Sequence, residues 1–468
     1  MDERSGRDDR RVARSRRMRY MVDASWWRRR SDAGETLVAG SPAKAMRLRP
    51  AATALLDALE AGEDLPTRGV DALVERLVEN GAIHPLPECS RSHDARDVTV
   101  VIPAHDESPD ELTALVHSLG DTARVIVVDD GSSSPIEPIA GAEVLRRAVA
   151  GGPGTARNTG LAEVSTPFVL FIDADVVWKP DAWQPLLAHL DDDSVGVVAP
   201  RVASNPGPSV LARYEVSRSP LDLGPTPARV RARTRVSYVP AAALLVRTNA
   251  LRAVGGFDES LRYGEDVDLI WRLDESGVRC RYEPRAEVFH RPRTSLVDAW
   301  HQRVSYGSAA AALHVRHRGH LAPLRVNRWS AGAWALVAAG HAVLGIATAV
   351  GSTALLVRRL RDVSERIPIA VRLAGLGNVH AGRLIASALT RAWWPLTLVA
   401  CLVSRRARRV ALFAAVAPHV WSWFTTRPDL DPVRFTLLGV ADDVAYGTGV
   451  WKGSIAERDA GALIPAFD

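Results

Sequence analysis

The segment PFVLFIDADV, residues 167–176, determines how the rest of this chain is interpreted. Its apolar run of β-branched and aromatic residues is typical of a strand buried in a parallel sheet. Asp173 and Asp175 stand one residue apart directly after this run. Two such carboxylates can both reach one hard cation, Mg²⁺ or Mn²⁺, although a lone Asp-x-Asp is more often a solvated loop. We therefore predict a buried strand that ends in a candidate metal site.

Strands and helices alternate on both sides of this segment. The further strands are predicted over VTVVIP (98–103), RVIVVDD (124–130) and VGVVAP (195–200). Helices are predicted over about 110–120, within GGPGTARNTGLAEV (151–164) and over 181–190. This alternation indicates an α/β fold with an open, mostly parallel sheet, whose site lies at the carboxyl ends of the strands.

Other polar residues stand at the predicted strand ends. A carboxylate of Asp129 or Asp130, before Gly131, can accept a hydrogen bond from a base or a ribose hydroxyl, and an Asp–Gly turn alone is the alternative explanation. Arg157 lies in the glycine-rich stretch, where it can contact a nucleotide or a diphosphate. A third acidic group, GEDVDLIWRL (264–273), follows GGFDE (255–259).

Five of these stretches together resemble the inverting glycosyltransferases of family two. They are VIPAHDE, VVDDGSS, GGPGTARNTGL, FIDADV and GGFDE…GEDVDLIWRL, which occur in the family's order and approximate spacing over about residues 98–310. The resemblance implies a GT-A catalytic domain, Rossmann-like with a mostly parallel sheet, that uses a nucleotide-diphosphate sugar and Mg²⁺ or Mn²⁺.

The resemblance also implies a role for each matching residue. Asp173 and Asp175 would hold the metal and the donor diphosphate, and Asp266 would be the base that deprotonates the acceptor hydroxyl. His290, in VFHRPR, would be a further metal ligand, with ordinary polar packing as the alternative. The residues assigned to substrate binding are Glu107, Asp129, Asp130, Arg157 and Glu265. Displacement opposite the leaving group would give a β-glycoside from an α-linked donor.

One motif of the processive members of this family is missing in its usual form. These synthases carry Q-x-x-R-W, whereas HQRVSYG (301–307) places Gln302 and Arg303 side by side. We therefore expect a short oligosaccharide on a small acceptor and no long-chain synthesis.

Residues 20–90 are predicted to form a small α+β unit of their own. Residues 50–62 and 70–85 each contain apolar residues at helical spacing. The two helices are predicted to stop at Gly62 and Gly81, because glycine is common directly after a helix. The words SPAKAMRLRPAATALLDAL and LVERLVENGAIHP resemble the PqqD-like, winged-helix peptide-binding units, and a purely structural appendage is the alternative.

The combination of this unit, the transferase and an apolar C-terminal region is similar to a group of transferases that glycosylate a peptide-derived redox cofactor. That similarity implies UDP-glucose as the donor and a small peptide-derived acceptor. The alternative is a cell-envelope transferase for a lipid or polysaccharide acceptor. A non-catalytic recognition protein is disfavoured because the acids of all three motifs are present, and the GEDVDLIWRL element fits a nucleotidyltransferase poorly.

The C-terminal third is strongly apolar. Residues 329–357 contain no Asp, Glu, Lys or Arg, and 384–403 and 410–424 are further apolar stretches. About 20 apolar residues span a bilayer, so 329–424 are predicted to be membrane-associated or transmembrane helices, with an Ala- and Val-rich soluble bundle as the alternative. Residues 425–468 are interpreted as a C-terminal tail.

The net charge of +5 is concentrated at the N-terminus, where the first thirty residues hold eleven arginines and five acids. Residues 1–19 are predicted to be a flexible basic arm that anionic lipid can attract. Nucleic acid is a weaker interpretation, because no zinc spacing or recognition helix accompanies the arginines. No apolar segment of a secretory signal follows, so we expect a protein of the cell membrane with its catalytic domain in the cytoplasm. Cys89, Cys280 and Cys401 are too far apart to suggest a disulfide framework or a zinc site.

Overall fold

A computed structural model of the chain describes residues 17–31, 34–66, 72–120, 122, 124–293, 295–361 and 365–467. Most of the predicted basic arm, residues 1–16, lies outside the described residues. The described residues form an N-terminal α+β unit, a central sheet flanked by helices, and a group of C-terminal helices.

The N-terminal unit is built on a three-stranded antiparallel sheet and two helices. Its elements are β1 (Arg17–Met18), β2 (Tyr20–Val22), β3 (Trp27–Ser31), β4 (Gly34–Ala39), β5 (Lys44–Leu48), α1 (Thr53–Ala61), β6 (Leu65–Pro66), α2 (Ala72–Glu79) and β7 (Ile83–Pro85). The sheet has the order β3-β4-β5, while β2 pairs with β7 and β1 with β6. Leu37 of β4, Leu56 of α1 and Leu77 of α2 are all fully buried and form one core. Both helices are followed by a left-handed glycine, Gly62 and Gly81, as predicted.

The central unit alternates strands and helices. Its strands are β8 (Val98–Ala104), β9 (Arg124–Asp129), β10 (Glu143–Arg146), β11 (Phe168–Ile172), β12 (Val176–Val177), β13 (Val195–Ser204), β14 (Ala228–Val230), β15 (Ala243–Arg247) and β16 (Arg279–His290). Its helices are α3 (Pro109–Ser118), α4 (Pro153–Ala162), α5 (Trp183–His189), α6 (Val210–Arg218), α7 (Thr248–Ala253) and α8 (Glu265–Glu275). The predicted α/β class is confirmed.

The nine strands form one mixed sheet of the GT-A type. Its order is β10-β9-β8-β11-β15-β13-β16-β12, and β14 also pairs with β16, on the edge away from β13 that β12 uses at the other end of the strand. Strands β10, β9, β8 and β11 pair in parallel, and β13 pairs in parallel with β16. β15 runs antiparallel to its neighbours β11 and β13. Hence β8, β9, β11 and β16 all point the same way, and their carboxyl ends meet at one edge of the sheet.

The C-terminal region is helical. Its elements are α9 (Leu296–Arg316), β17 (Arg325–Val326), α10 (Arg328–Ala338), α11 (Ala342–Arg359), α12 (Arg366–Ala370), α13 (Leu376–Thr390), α14 (Trp394–Val403), α15 (Arg405–Thr426), α16 (Pro432–Ala456) and β18 (Ala466–Phe467). Residues 371–375 continue α12 into α13 as a π-helical turn.

The segment interpreted as a tail contains the longest of these helices, and the structure corrects that interpretation. Helix α16 packs along α9 at glycines: a Cβ on Gly307 would lie 2.0 Å from the Tyr446 carbonyl oxygen, and one on Gly449 would lie 2.0 Å from that of Val304. Only glycine allows two helix backbones to approach so closely. The sequence pattern misses the helix because its glycines lower the local helix propensity.

The apolar stretch 329–357 is broken into two helices, α10 and α11, at Gly340, whose φ is +88°. Their eleven residues and eighteen residues correspond to about 16 Å and 27 Å of helix. The stretch is therefore a helical hairpin and not one continuous span.

Among the described residues, α11 alone has the length and apolar character of a helix that crosses a bilayer. The bent pair Arg366–Thr390 and Trp394–Val403, whose parts meet at 85°, meets the same test when taken as one span. Large apolar side chains on the outside of α11, α14 and α15 are exposed, among them Val343, Ile346, Val403 and Phe413.

Candidate functional site

The predicted site residues come together at the carboxyl edge of the central sheet. Glu107 follows β8, Asp129 ends β9 and Asp130 follows it, Asp173 and Asp175 follow β11, and His290 ends β16. Glu265 and Asp266 begin helix α8, which packs beside this edge. Parallel strands present their carboxyl ends on one side, and this geometry produces the convergence.

Arg157 links two of the acidic groups. This residue is 3% exposed and lies in the middle of α4. Its Nη1 donates to Glu265 Oε1 at 2.8 Å and its Nη2 donates to Asp173 Oδ1 at 2.6 Å. Burial disfavours the charged guanidinium, but Asp173 and Glu265 raise the pKa of Arg157 above its usual value, so it stays charged. The Asp-x-Asp motif and the start of α8 are thereby held by one cation.

A glycine in the same helix sets the position of Arg157. A Cβ on Gly160 would lie 2.4 Å from Val101 Cγ1 of β8. Helix α4 can therefore lie directly on the sheet, and this brings Arg157 over the strand ends. The glycine-rich stretch serves helix–sheet packing as well as the turn before the helix.

Asp129 and Asp130 hold the loops around the site. The fully buried Asp129 carboxylate accepts from the backbone amides of Ser132 and Ile136, at 2.9 and 3.2 Å, and from Arg146. Burial acts to raise the pKa of Asp129, but the hydrogen bonds from Ser132, Ile136 and Arg146 lower it to about 2.

Asp130 has a different set of partners. Its carboxylate accepts from the amides of Gly151 and Gly152, the shorter bond being 2.7 Å, and from Arg147 Nε at 2.8 Å. In this structure the carboxylates of Asp129 and Asp130 therefore fix the turns on both sides of the site. The contact of one of them with a base or a ribose hydroxyl of the donor stays a prediction.

Asp175 lies beside His290. Strands β12 and β16 pair Val176 with His290, and this register places His290 Nε2 3.1 Å from Asp175 Oδ2. Burial acts to raise the pKa of Asp175, but the hydrogen bond and charge of His290 lower it below its usual value. Burial raises the pKa of the neighbouring Asp173 despite the opposing charge of Arg157.

This donor set fits a divalent cation. The carboxylate of Asp175, the imidazole of His290 and the Asp173 oxygen not engaged by Arg157 are ligands of the kind that Mn²⁺ accepts, and carboxylates also suit Mg²⁺. The Glu107 carboxyl lies nearby: burial, and then the charge of Asp175, raises the pKa of Glu107. The residues present are therefore compatible with the metal that the family implies.

Asp266 has the character of a general base. Gly264, with φ of +79°, turns the chain into α8 and places Asp266 in its first turn. The carboxylate accepts from the amides of Val267 and Ala241, at 2.8 and 3.3 Å. Burial, and then the charge of Glu265, raises the pKa of Asp266 to about 7. A carboxylate with that pKa takes up a proton most effectively near neutral pH.

Two tyrosines near Asp266, and an arginine close to both tyrosines, were not predicted from the sequence. Burial and the charge of Asp266 raise the pKa values of Tyr238 and Tyr306, so both phenols are neutral donors. Arg303, noted only for its place in HQRVSYG, is buried, donates to Glu215 at 2.6 Å and pairs with Asp442 of α16. No local pattern signals these positions, because Glu215 and Asp442 are 88 and 139 residues away from Arg303.

Comparison with known proteins places this site in a family. Residues 99–251 match glycosyl transferase family 2. The chain is 42% identical to the pre-mycofactocin glycosyltransferase of Mycobacterium tuberculosis over 453 residues, which cover 92% of this chain and 94% of that protein. It is also 26% identical over 216 residues to the succinoglycan biosynthesis protein ExoO of Rhizobium meliloti, covering 43% and 62% of the two chains.

Solved structures show a more distant likeness. A mannosyltransferase from Pyrobaculum calidifontis, solved with GDP-Man and Mn²⁺, is 17% identical and matches with a TM-score of 0.40 over 75% of this chain and 88% of its own. The first 349 residues of TarS from S. aureus are 15% identical and match with a TM-score of 0.35 over 77% and 92% of the two chains.

Proposed function

The chain belongs to glycosyl transferase family 2 and to the group of the pre-mycofactocin glycosyltransferases, and we propose that it transfers glucose from UDP-glucose to pre-mycofactocin. It is a nucleotide-sugar-dependent glycosyltransferase, as the sequence predicts. The alignment with the M. tuberculosis relative covers nearly the full length of both chains, and this supports a shared acceptor. UDP-glucose is proposed as the donor on the similarity given in the sequence analysis, and the linkage and the metal are proposed on the chemistry of the site.

The observation that carries the proposal is the link that Arg157 makes between Asp173 and Glu265, beside Asp266. The link connects the motif assigned to the donor diphosphate with the helix that carries the base. Donor and acceptor must meet between these two elements. Because the buried guanidinium of Arg157 holds both elements, the distance and direction of attack are fixed before the substrates bind.

We propose that Asp266 removes the proton of the attacking acceptor hydroxyl. Its raised pKa makes this carboxylate basic enough to accept a proton as the hydroxyl attacks. The neutral phenols of Tyr238 and Tyr306 are suited to donate hydrogen bonds to the sugar hydroxyls or the acceptor. Attack opposite the leaving UDP inverts the anomeric centre, so an α-linked donor gives a β-glucoside.

Asp173, Asp175 and His290 are the residues that would hold Mg²⁺ or Mn²⁺. A divalent cation, when bound, neutralises charge on the diphosphate leaving group. Arg157 orients Asp173. The contact with His290 lowers the pKa of Asp175, so this carboxylate stays ionised at pH values where a free aspartic acid would begin to take up a proton. These residues thus keep at least one carboxylate of the motif charged over the physiological pH range.

The N-terminal unit is the proposed acceptor-recognition element. Among the described residues β3 and β5 each pair with one strand only, so each offers an open edge on which an extended peptide can add a strand. The unit is fixed to the catalytic domain: Glu79 of α2 pairs with Arg229 and Arg279, and Ser41 accepts from the Arg235 amide. A peptide-derived acceptor bound here would be held at a constant distance from the sheet.

We propose further that α10 to α15 hold the protein at the cytoplasmic face of the cell membrane. The support is the exposure of apolar side chains on α11, α14 and α15, next to exposed Arg405, Arg406, Arg408 and Arg409. Apolar faces bordered by arginines bind the interface of a bilayer with anionic lipids. A lipid-linked acceptor is the second candidate, because the same surface would bring the site close to membrane substrates.

The test is a transfer assay with the full-length protein in membranes. A panel of nucleotide sugars is combined with pre-mycofactocin, an unrelated peptide and a polyprenyl phosphate, and products are identified by mass spectrometry. The proposal requires a hexose mass on pre-mycofactocin with UDP-glucose. Transfer to the lipid alone would support the cell-envelope function instead.

A further inference from the structure

A second cluster of metal-type ligands lies outside the transferase site. Glu275 is at the end of α8, His317 follows α9, and His320 lies in the next turn. One ligand atom from each residue lies within 4.8 Å of the other two. His317 Nδ1 is 3.3 Å and His320 Nδ1 is 3.7 Å from the same oxygen, Glu275 Oε1.

The orientation of His317 is fixed by a buried carboxylate. His317 Nε2 is 2.8 Å from Asp268 Oδ1, and the two residues are 6% and 2% exposed. Asp268 Oδ2 accepts from Arg272 at 2.7 Å, so this carboxylate cannot turn away. When the neutral ring donates its Nε2 proton to Asp268, its Nδ1 lone pair points towards the Glu275 carboxylate. Two acceptors then face each other, an arrangement that a cation between them satisfies.

The third residue, His320, has a ring nitrogen near Glu275 that makes no hydrogen bond within the described part of the chain. Its Nδ1 is buried, and the described residues offer it no hydrogen-bond partner. The 3.7 Å to Glu275 Oε1 is too long for a hydrogen bond but not for two ligands of one ion. Trp271 contacts both imidazoles edge-to-face at 5.1 Å, and the two rings stack nearly parallel, so His320 turns about its side-chain torsions to bring its Nδ1 lone pair onto a shared ion.

We propose that Glu275, His317 and His320 bind a divalent transition-metal ion of the zinc type. Ligands about 2.0–2.1 Å from a tetrahedral Zn²⁺ lie roughly 3.3 Å from each other, close to the separation of His317 Nδ1 from Glu275 Oε1. Two imidazoles and one carboxylate favour zinc over Mg²⁺, which prefers oxygen ligands. Glu275 is half exposed, so water can complete the coordination from the solvent side.

The ion would join the catalytic helix to the end of α9. Asp268, which orients His317, stands two residues after Asp266 in the first turn of α8, and Glu275 is the last residue of that helix. Both ends of α8 are therefore attached to the segment 317–320. We assign these residues a positioning role for α8 and no contact with the substrates.

The proposal can be tested by metal binding to the full-length, detergent-purified protein. The protein is stripped with a chelator, loaded with Zn²⁺ or Co²⁺ and dialysed free of excess ion. Bound metal is counted by elemental analysis, and the visible spectrum of Co²⁺ reports imidazole coordination. The variant is His320→Asn. The matched control is His301→Asn, an exposed histidine on α9 outside the cluster. Asp175→Asn separates this ion from one in the transferase site.

One retained equivalent of Zn²⁺ is expected in the wild type, the His301 control and Asp175→Asn, and its loss is expected in His320→Asn. Zinc should also raise the melting temperature of the wild type by about 2–6 °C and leave that of His320→Asn unchanged. The proposal is overturned if the stripped wild type retains no Zn²⁺ or Co²⁺, if His320→Asn binds as well as the wild type, or if the bound ion is lost with Asp175→Asn.

Discussion

Arg157 Nη1 donates to Glu265 Oε1 at 2.8 Å, and this bond joins two helices across 108 residues of sequence. Both side chains are almost fully buried, so neither charge can find water if the other is removed. The bond therefore ties the geometry of the site to the stability of the domain.

Arg157→Met should lower both activity and stability. Removing one partner of a buried ion pair leaves uncompensated charge, which costs about 3–5 kcal/mol of the free energy of unfolding. Arg124→Met is the matched control, because its pair with Glu143 is exposed and should contribute less than about 1 kcal/mol. Thermal melts and initial rates on both variants would check this. Equal stability of the two variants would contradict the link.

Activity should require a divalent metal bound through Asp173 and Asp175. A chelator and Asp175→Asn should each abolish transfer, and added Mn²⁺ should restore only the chelated wild type. Asp193→Asn, at a fully exposed acid, is the control and should keep its activity. Full transfer in excess chelator would show that the Asp-x-Asp motif acts without a metal.

Asp266→Asn should reduce turnover by roughly 10²–10⁴-fold while donor binding survives, because the amide keeps the shape but cannot accept the proton. The base must be ionised, so kcat/KM of the wild type should rise with pH up to about 7 and level off above it. The variant should lose this rising limb. Wild-type turnover in the variant would mean that another group takes the proton.

The exposed apolar helices should make the protein sediment with membranes. We expect full-length protein to sediment with the membrane fraction, and to resist carbonate extraction if α11 spans the bilayer. Replacing Leu402 and Phe413, both exposed, with Ser should weaken the association. A monodisperse full-length protein without detergent would argue for a soluble bundle.

Deleting residues 1–90 should separate acceptor choice from chemistry. The deletion removes no acid of the transferase site, so donor hydrolysis and its metal dependence should persist while transfer to the natural acceptor falls. A melting curve must accompany the assay, because the deletion exposes Arg229 and Arg279, the partners of Glu79. If the shortened enzyme modifies the acceptor as well as the full chain does, the unit has no recognition role.

The sequence by itself determined the elements whose cause is local. Buried strands such as 168–172 are read from their apolar runs, and the acids that follow them mark the edge where parallel strands end. Gly62 and Gly81 end their helices because a left-handed residue is needed there, which is again a local property.

Only the tertiary structure decided what depends on contacts between distant residues. The raised pKa of Asp266 comes mainly from its burial in the folded chain. The hydrogen bond between Arg157 and Glu265 joins residues 108 positions apart. Helix α16 contains glycines that lower its helix propensity but allow it to pack closely against α9. The Glu275–His317–His320 cluster likewise unites the ends of two helices. Such features arise when the chain folds back on itself, because burial and charge depend on neighbours in space and not on neighbours in sequence.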